Sequence, residues 1–264
     1  MKEEALQLIR NVSDPALKLN RLREYLQALV LRSLHECEAF VCVAFVGGTA
    51  LRFVFGLPRF SEDLDFSLER SAGYSPQPWM RKVKQDLVSA GFDASVSWSE
   101  KGVVHKGWVK LSGLLKESSL AAMAEQKLSI KLEIDTRPPA GASSVRTLIT
   151  NHRLLAIRHY DLPSLMAGKV HALCARSYPK GRDWYDLLWY LGQRPPVTPN
   201  LLLLQNALDQ TQGCGAVHSE RWRDLLRERA EGVDFRLLQA DVRPFLERPA
   251  EAELLTRENV RSLL

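Results

Sequence analysis

Near residue 160 the apolar positions of this chain change their rhythm. Before it, two periods alternate. Leu22, Leu26, Leu29 and Leu34 recur at helical spacing behind Asp14-Pro15, a capping acid and a proline suited to a first helical turn. A helix is therefore predicted from there to about His35. Phe40 to Val46 is a near-continuous apolar run, the pattern of a central buried strand, closed by Gly47-Gly48. Thr49 to Phe55 has room for two helical turns before Gly56 and Pro58. Asp63 to Leu68 alternates, with Leu64, Phe66 and Leu68 on one face and Asp63, Asp65 and Ser67 on the other. An amphipathic helix over Ser75 to Ala90, closed by Gly91, precedes strands at Phe92 to Trp98, Val103 to Leu111, Gln126 to Asp135 and Leu154 to His159. After Asp161 only the helical period remains, over Asp161 to Arg176, Asp183 to Leu191, Leu201 to Thr211, Glu220 to Ala230 and about the last dozen residues. The expected fold class is α+β: a mixed-sheet part with its N-terminal helix over residues 1–160, then an all-helical region over 161–264.

Composition narrows the class only a little. The 264 residues are 45% hydrophobic and 25% charged, the proportions of an ordinary soluble domain. Thirty-six Lys and Arg against 31 Asp and Glu leave +5, which permits a polyanionic partner without requiring one. No apolar run reaches membrane-spanning length, and Met-Lys-Glu-Glu at the start does not read as a secretory signal. Cys37, Cys42, Cys174 and Cys214 form no Cys-x-x-Cys pair, so no zinc site is expected. Cys42 and Cys174 read as small core residues, and a cytoplasmic location with no membrane partner is expected.

The chemistry-bearing residues fall into four groups. Gly47-Gly48-Thr49, between a strand and a helix, lets a backbone approach a ligand and offers the N–H groups of a helix start to a phosphate. Asp63 and Asp65, two apart on a strand, share one face, and two such acids call for a divalent cation with hard oxygen ligands. Lys131, Glu133 and Asp135 share a face of their own strand in the same way. If the two strands are neighbours, one of these acids completes a three-carboxylate cluster. In the helical part, Lys169 and Arg176 lie on one helix face, with Gly168 leaving room beside Lys169. Asp183 and Asp186 follow on the next helix, within i,i+4 reach of Arg182 in the case of Asp186. Lys180 and Arg182 add to the local positive charge. Together these groups outline two-metal nucleotidyl transfer.

Phe45-Val46-Gly47-Gly48-Thr49-Ala50-Leu51-Arg52 with Arg59-Phe60-Ser61-Glu62-Asp63-Leu64-Asp65-Phe66 resembles the first motif of the AbiEii/AbiGii (MenT-like) toxin nucleotidyltransferases. Lys131-Leu132-Glu133-Ile134 resembles the second motif, Leu162 to Leu173 around Lys169 the third, and Arg182-Asp183-Trp184-Tyr185-Asp186-Leu187 the fourth. The likeness runs from about residue 40 to 192. It implies a polymerase-β-like nucleotidyltransferase core, the toxin of a toxin–antitoxin pair acting in phage defence, and transfer of nucleotides from NTP to the 3′ end of tRNA. It also implies a cognate antitoxin that is a separate DNA-binding protein.

On this reading Asp63, Asp65 and Glu133 hold two Mg²⁺ ions, with Asp135 the alternative third acid. Gly47, Gly48, Thr49, Lys131 and Lys169 bind the NTP, Lys169 neutralises the leaving pyrophosphate, and Asp183 orients Lys169 or the NTP base or ribose. Arg176, Lys180 and Arg182 meet the RNA, with Tyr178 or Trp184 available for stacking. Phosphate on Ser61 would add roughly −1.5 to −2 charges beside the acids and switch the site off. Two alternatives use the same residues: a nucleotidyl- or phosphotransferase that modifies a protein, and a non-catalytic basic RNA-binding protein.

Overall fold

Seven strands form one mixed sheet in the order β3-β4-β5-β2-β1-β7-β6. The computed structural model describes residues 1–123 and 125–264. In chain order the sheet-bearing part carries α1 (Lys2–Ile9), α2 (Pro15–Glu36), β1 (Val43–Val46), α3 (Gly47–Phe55), β2 (Leu64–Leu68), α4 (Pro76–Ser89), β3 (Asp93–Ser99), β4 (Val104–Ser112), α5 (Leu114–Glu117), β5 (Leu128–Asp135), β6 (Ser144–Ile149) and β7 (Leu155–Tyr160). Thereafter only helical elements follow: α6 (Leu162–Ala175), α7 (Gly181–Leu191), α8 (Leu201–Gln212), α9 (Trp222–Glu231), α10 (Phe235–Val242) and α11 (Arg257–Leu263), with short 3₁₀ turns between them. The described residues divide into two compact units. One takes in Met1–Gly56, Phe60–Pro138 and Arg146–His159, the other Leu57–Arg59, Pro139–Val145 and Tyr160–Leu264.

Local signals explain most of these elements. The Asp14 carboxylate accepts the Ala16 N–H at 2.8 Å, and Pro15 opens α2. Asp161 caps α6 through the Ser164 N–H, and Asn200 caps α8 through the Leu203 N–H. Gly56 ends α3 in the left-handed region at φ 70°. The run from Phe40 is not all strand: Ala39–Val41 is a 3₁₀ turn, and β1 begins only at Val43. Continuous apolarity reports burial, and both forms are buried here, so the period could not separate them.

In the sheet unit one face carries the core. Leu64 and Phe66 of β2, Val109 and Leu111 of β4, and Ile130, Leu132 and Ile134 of β5 are all buried. Helices α2 and α4 pack over this side. β2 lies parallel to β5 and antiparallel to β1, and β4 lies antiparallel to both β3 and β5. Of the two cysteines expected in the core, Cys42 is buried, while Cys174 is half-buried beside the end of α6.

Gly107 sits on the covered face of β4, where a Cβ would come within 2.9 Å of the Trp98 ring and 3.2 Å of the Met80 methyl. Gly107→Ala should therefore cost about 1–3 kcal/mol, seen as a lower urea midpoint at unchanged slope. An unchanged midpoint would mean that both side chains can step aside.

Candidate active site

Pairing of β2 with β5 brings the acids together. In this parallel register Leu64 partners Leu132, Asp65 partners Glu133 and Phe66 partners Ile134. The apolar members of each pair go to the core and the acidic members to the opposite face. Asp65 and Glu133 thus stand one strand spacing apart, about 4.8 Å between backbones. Asp63 immediately precedes β2, and its charge acts on Lys131. Asp135 lies one step further along, opposite Ser67, and its carboxylate accepts the Arg137 N–H at 2.9 Å. Glu133 is the acid beside Asp65, and Asp135 caps the turn that ends β5.

Three neighbouring carboxylates need positive charge, and Lys131 supplies it. Its ammonium lies 2.7 Å from Glu133 Oε1. Burial works against the charged ammonium, but the hydrogen bond and charge of Glu133, then the charges of Asp63 and Asp65, outweigh it and raise its pKa. Among the described residues no three His, Cys, Asp or Glu side chains are already drawn together as a metal cage. Asp63, Asp65 and Glu133 all act on Lys131 instead. The donor chemistry suits Mg²⁺: hard carboxylate oxygens of Asp65 and Glu133 on one sheet face, with Asp63 just before β2, at a place that already stabilises a cation.

The glycine turn fits against these acids. Gly47 has φ 77°, and a Cβ there would fall 2.5 Å from Asp65 Oδ2. Only glycine lets the start of α3 meet that carboxylate. Thr49 differs from the expectation of a phosphate-binding hydroxyl. It is fully buried, and its Oγ1 donates to the Asp63 carbonyl. Thr49 thereby ties α3 to the segment that carries the first acid, while Gly47 remains half-buried and Gly48 is buried. Arg52, further along α3, donates to Glu24 of α2 at 2.8 Å and so fixes the same helix from its other end. Ser61 is half-buried, with its carbonyl held by the Gln27 side chain at 3.1 Å.

In the helical unit a second cluster forms around Lys169. The sequence suggests an open lysine beside Gly168, but its side chain is only 11% exposed. Its ammonium lies 2.7 Å from Asp183 Oδ1 and 2.8 Å from Asp186 Oδ2. Asp186 also accepts both arms of the Arg59 guanidinium at 2.6 Å, and Asp183 also pairs with Arg176. Three cations therefore share two carboxylates, leaving one positive charge over. Burial disfavours charge on Lys169, yet Asp183 and Asp186 hold its pKa above the ordinary lysine value. Burial likewise opposes the charge on Asp183, but Lys169 and Arg176 hold its pKa below the ordinary aspartate value.

Asp186, within helical reach of Arg182, takes Arg59 instead, and Arg182 lies 4.2 Å over the Phe245 ring. Trp184 is buried, so it cannot stack on a ligand, whereas Tyr178 is 59% exposed with the Lys180 ammonium 5.6 Å from its ring. Sequence reasoning missed Arg59 and Asp186 as a buried pair. The signal was the arginine of the Arg59–Asp63 stretch, which the motif contains without explaining.

The family described as nucleotidyl transferase AbiEii toxin, type IV toxin–antitoxin system, matches residues 29–257, well beyond the motif-bearing stretch. Among curated proteins none matches significantly. Solved structures with a similar fold include a putative nucleotidyltransferase from Helicobacter pylori (19% identity, 96% of each chain covered, TM-score 0.56). JHP933 from Helicobacter pylori is similar at 18% identity, over 96% of this chain and 93% of that one, TM-score 0.53. MenT4, a nucleotidyltransferase toxin from Mycobacterium tuberculosis H37Rv, is similar at 17% identity, over the whole of this chain and 89% of its own, TM-score 0.58.

Two expectations follow from the geometry. Gly47→Ala should push the Asp65 carboxylate aside and cost about 1–3 kcal/mol through its forced left-handed backbone, read by denaturant unfolding. A variant of wild-type stability would show that the turn adapts. Because Asp183 has a depressed pKa in the folded state, its contribution is fully present above its unfolded value and is lost as pH falls through the folded one. The stability gap between wild type and Asp183→Asn should therefore be widest at neutral pH and close below about pH 4. A gap that stays constant from pH 7 to 3 would remove the ion-pair explanation.

Proposed function

The chain belongs to the AbiEii family, nucleotidyl transferase toxins of type IV toxin–antitoxin systems, and from that premise we propose that it transfers nucleotides from NTP to the 3′ end of tRNA and so blocks translation. An antitoxin is the partner such a family implies. We take it to be a separate, DNA-binding protein and the pair to serve phage defence. The observation that carries the reading is the Asp65–Glu133 register, with Asp63 leading into it and the Gly47 turn seated on Asp65.

Asp63, Asp65 and Glu133 would hold Mg²⁺, two ions at full complement, which supplies charge neutralisation for the triphosphate and lowers the pKa of the attacking 3′-hydroxyl. The chain's own residues position the reactants. Backbone N–H groups at the start of α3 face phosphate with the positive end of the helix dipole. With the Thr49 hydroxyl turned inward, this grip is made by backbone. Lys131, held at Glu133, has donors left for an NTP phosphate, since an ammonium carries three. Lys169 keeps its charge between two carboxylates and would neutralise the leaving pyrophosphate, with Asp183 fixing its direction. Lys180, beside the exposed Tyr178, is the best placed of the three cations assigned to RNA.

The test is a labelling assay with each α-labelled NTP, Mg²⁺ and total bacterial tRNA. Wild type should lengthen and label tRNA with a preferred nucleotide. Asp63→Ala should lose about 100-fold or more, because metal charge stabilisation is worth several kcal/mol, while its circular dichroism and melting stay near wild type. Label on protein instead of RNA would overturn the acceptor, and an active Asp63→Ala would overturn the metal assignment.

A further inference from the structure

The open face of the sheet continues past the acids, and its next two strands are built differently from a solvated edge. Cross-strand partners point to the same side, so the registers define a grid. One row runs Asp65, Glu133, Lys106, Ser99, and the next runs Lys131, Trp108, Ser97. A third places Lys110 between Ser129 and Ser95. Trp108 therefore lies on the acid face, one strand from Lys131, whose ammonium sits 5.8 Å from its ring. It is 38% exposed, although the same strand buries Val109 and Leu111 on the other face. Lys106 and Lys110 bracket it, each two residues away, or about 7 Å along the strand, and both are exposed. Ser95, Ser97 and Ser99 of β3 are exposed too, and their small side chains leave the outer flank of the ring low and open.

An exposed aromatic between two lysines is the arrangement that binds single-stranded nucleic acid. The ring takes a base by stacking and the ammonium groups take the phosphates on either side. Charge distribution agrees. Residues 160–264 carry 14 Lys and Arg against 14 Asp and Glu, so the whole surplus of +5 lies in residues 1–159, where 22 basic groups face 17 acidic ones. Lys106 is the direct cross-strand neighbour of Glu133, so a strand lying on this platform runs up to the acids.

We propose that the β4 face, Trp108 with Lys106 and Lys110, is the docking platform for the single-stranded 3′ end of the acceptor RNA. It deepens the transferase reading and rests on it. A base stacks on Trp108, the adjoining phosphates pair with Lys106 and Lys110, and the terminal hydroxyl is delivered toward Asp63, Asp65 and Glu133.

The test measures binding apart from turnover. Asp63→Ala protein is titrated with a fluorescein-labelled single-stranded RNA ending in a 3′-hydroxyl, and Trp108→Ala, Trp108→Phe and Lys106→Ser/Lys110→Ser are added to it. Trp108→Ala should weaken RNA binding about tenfold or more, and Trp108→Phe should recover most of it. The double serine variant should flatten the salt dependence by roughly 1.4 in log–log slope, about 0.7 per lost phosphate contact. Binding of a fluorescent NTP with Mg²⁺ should be unchanged when the same Trp108 and Lys106/Lys110 substitutions are made in protein that keeps Asp63. If wild type labels RNA but all three variants bind it as tightly as their parent, the platform is wrong and the transferase reading stands. If Trp108→Ala instead loses NTP, the ring is a base pocket and the proposal falls. If wild type neither binds nor labels RNA, the acceptor reading and the platform fall together.

Discussion

The β2–β5 register holds two carboxylates side by side, and the rest of the sheet unit is arranged around that repulsion. Two unit charges about 5 Å apart at a half-buried surface repel by about 1–3 kcal/mol. A slip of β2 by one residue would separate Asp65 from Glu133, but it would also turn Leu64 and Phe66 out of the core. Burying two such side chains is worth about 3–6 kcal/mol, at least the size of the repulsion, so the register holds and the acids stay together. Lys131 then offsets part of that repulsion from the same strand that creates it. Core packing thus enforces the geometry, and the charged face bears the strain.

The glycine turn obeys the same constraint. Gly47 has no Cβ because the Asp65 carboxylate occupies that space. Thr49, expected at the ligand, spends its hydroxyl on the Asp63 carbonyl. This makes α3 a brace for the acids as well as a source of backbone N–H groups. In the helical unit the logic is inverted: Arg59 and Lys169, buried, and Arg176, exposed, converge on two buried carboxylates, where an unpaired buried charge would cost several kcal/mol. Each carboxylate oxygen there has a partner, so Lys169 is a fixed charge rather than a mobile one.

What the sequence shows and what it hides divide along the range of the interactions. Helix α2 was legible because Asp14-Pro15 and its leucines are local signals. The faces of β2 and β5 were legible because period two is local as well. That β2 and β5 are neighbours was a condition the sequence could only state, since the pairing joins segments more than 60 residues apart. Helix α1 was missed because it is short and is held by tertiary bonds, Glu4 to Tyr25 at 2.8 Å and to Arg153 at 2.9 Å. Strand β6 was missed because, at the edge of the sheet, nearly all its residues are exposed and no alternation marks it. The Lys169 cluster misled for the same reason: Arg182 and Asp186 have the spacing of a helix pair, yet Asp186 is taken by Arg59, 127 residues away. The β4 alternation of Lys106, Trp108 and Lys110 was readable, but a strand face gains meaning only from the strand beside it.

Lys131 links the two halves of the acid face. It reaches Glu133 on one side and lies over Trp108 on the other. Any cation taken up by Asp63, Asp65 and Glu133 must compete with this ammonium, which the same acids keep charged. Lys131 therefore stabilises the three acids, and on the proposed reading it would lower their affinity for a cation. An ammonium displaced from the acids stays on this face, where phosphate can accept its donors. On the proposed reading, incoming negative charge would lower the cost of releasing Lys131, so cation and triphosphate would each favour the other's arrival. The device needs only the period-two alternation of β5, which sets Lys131 and Glu133 on one face and leaves Leu132 between them in the core.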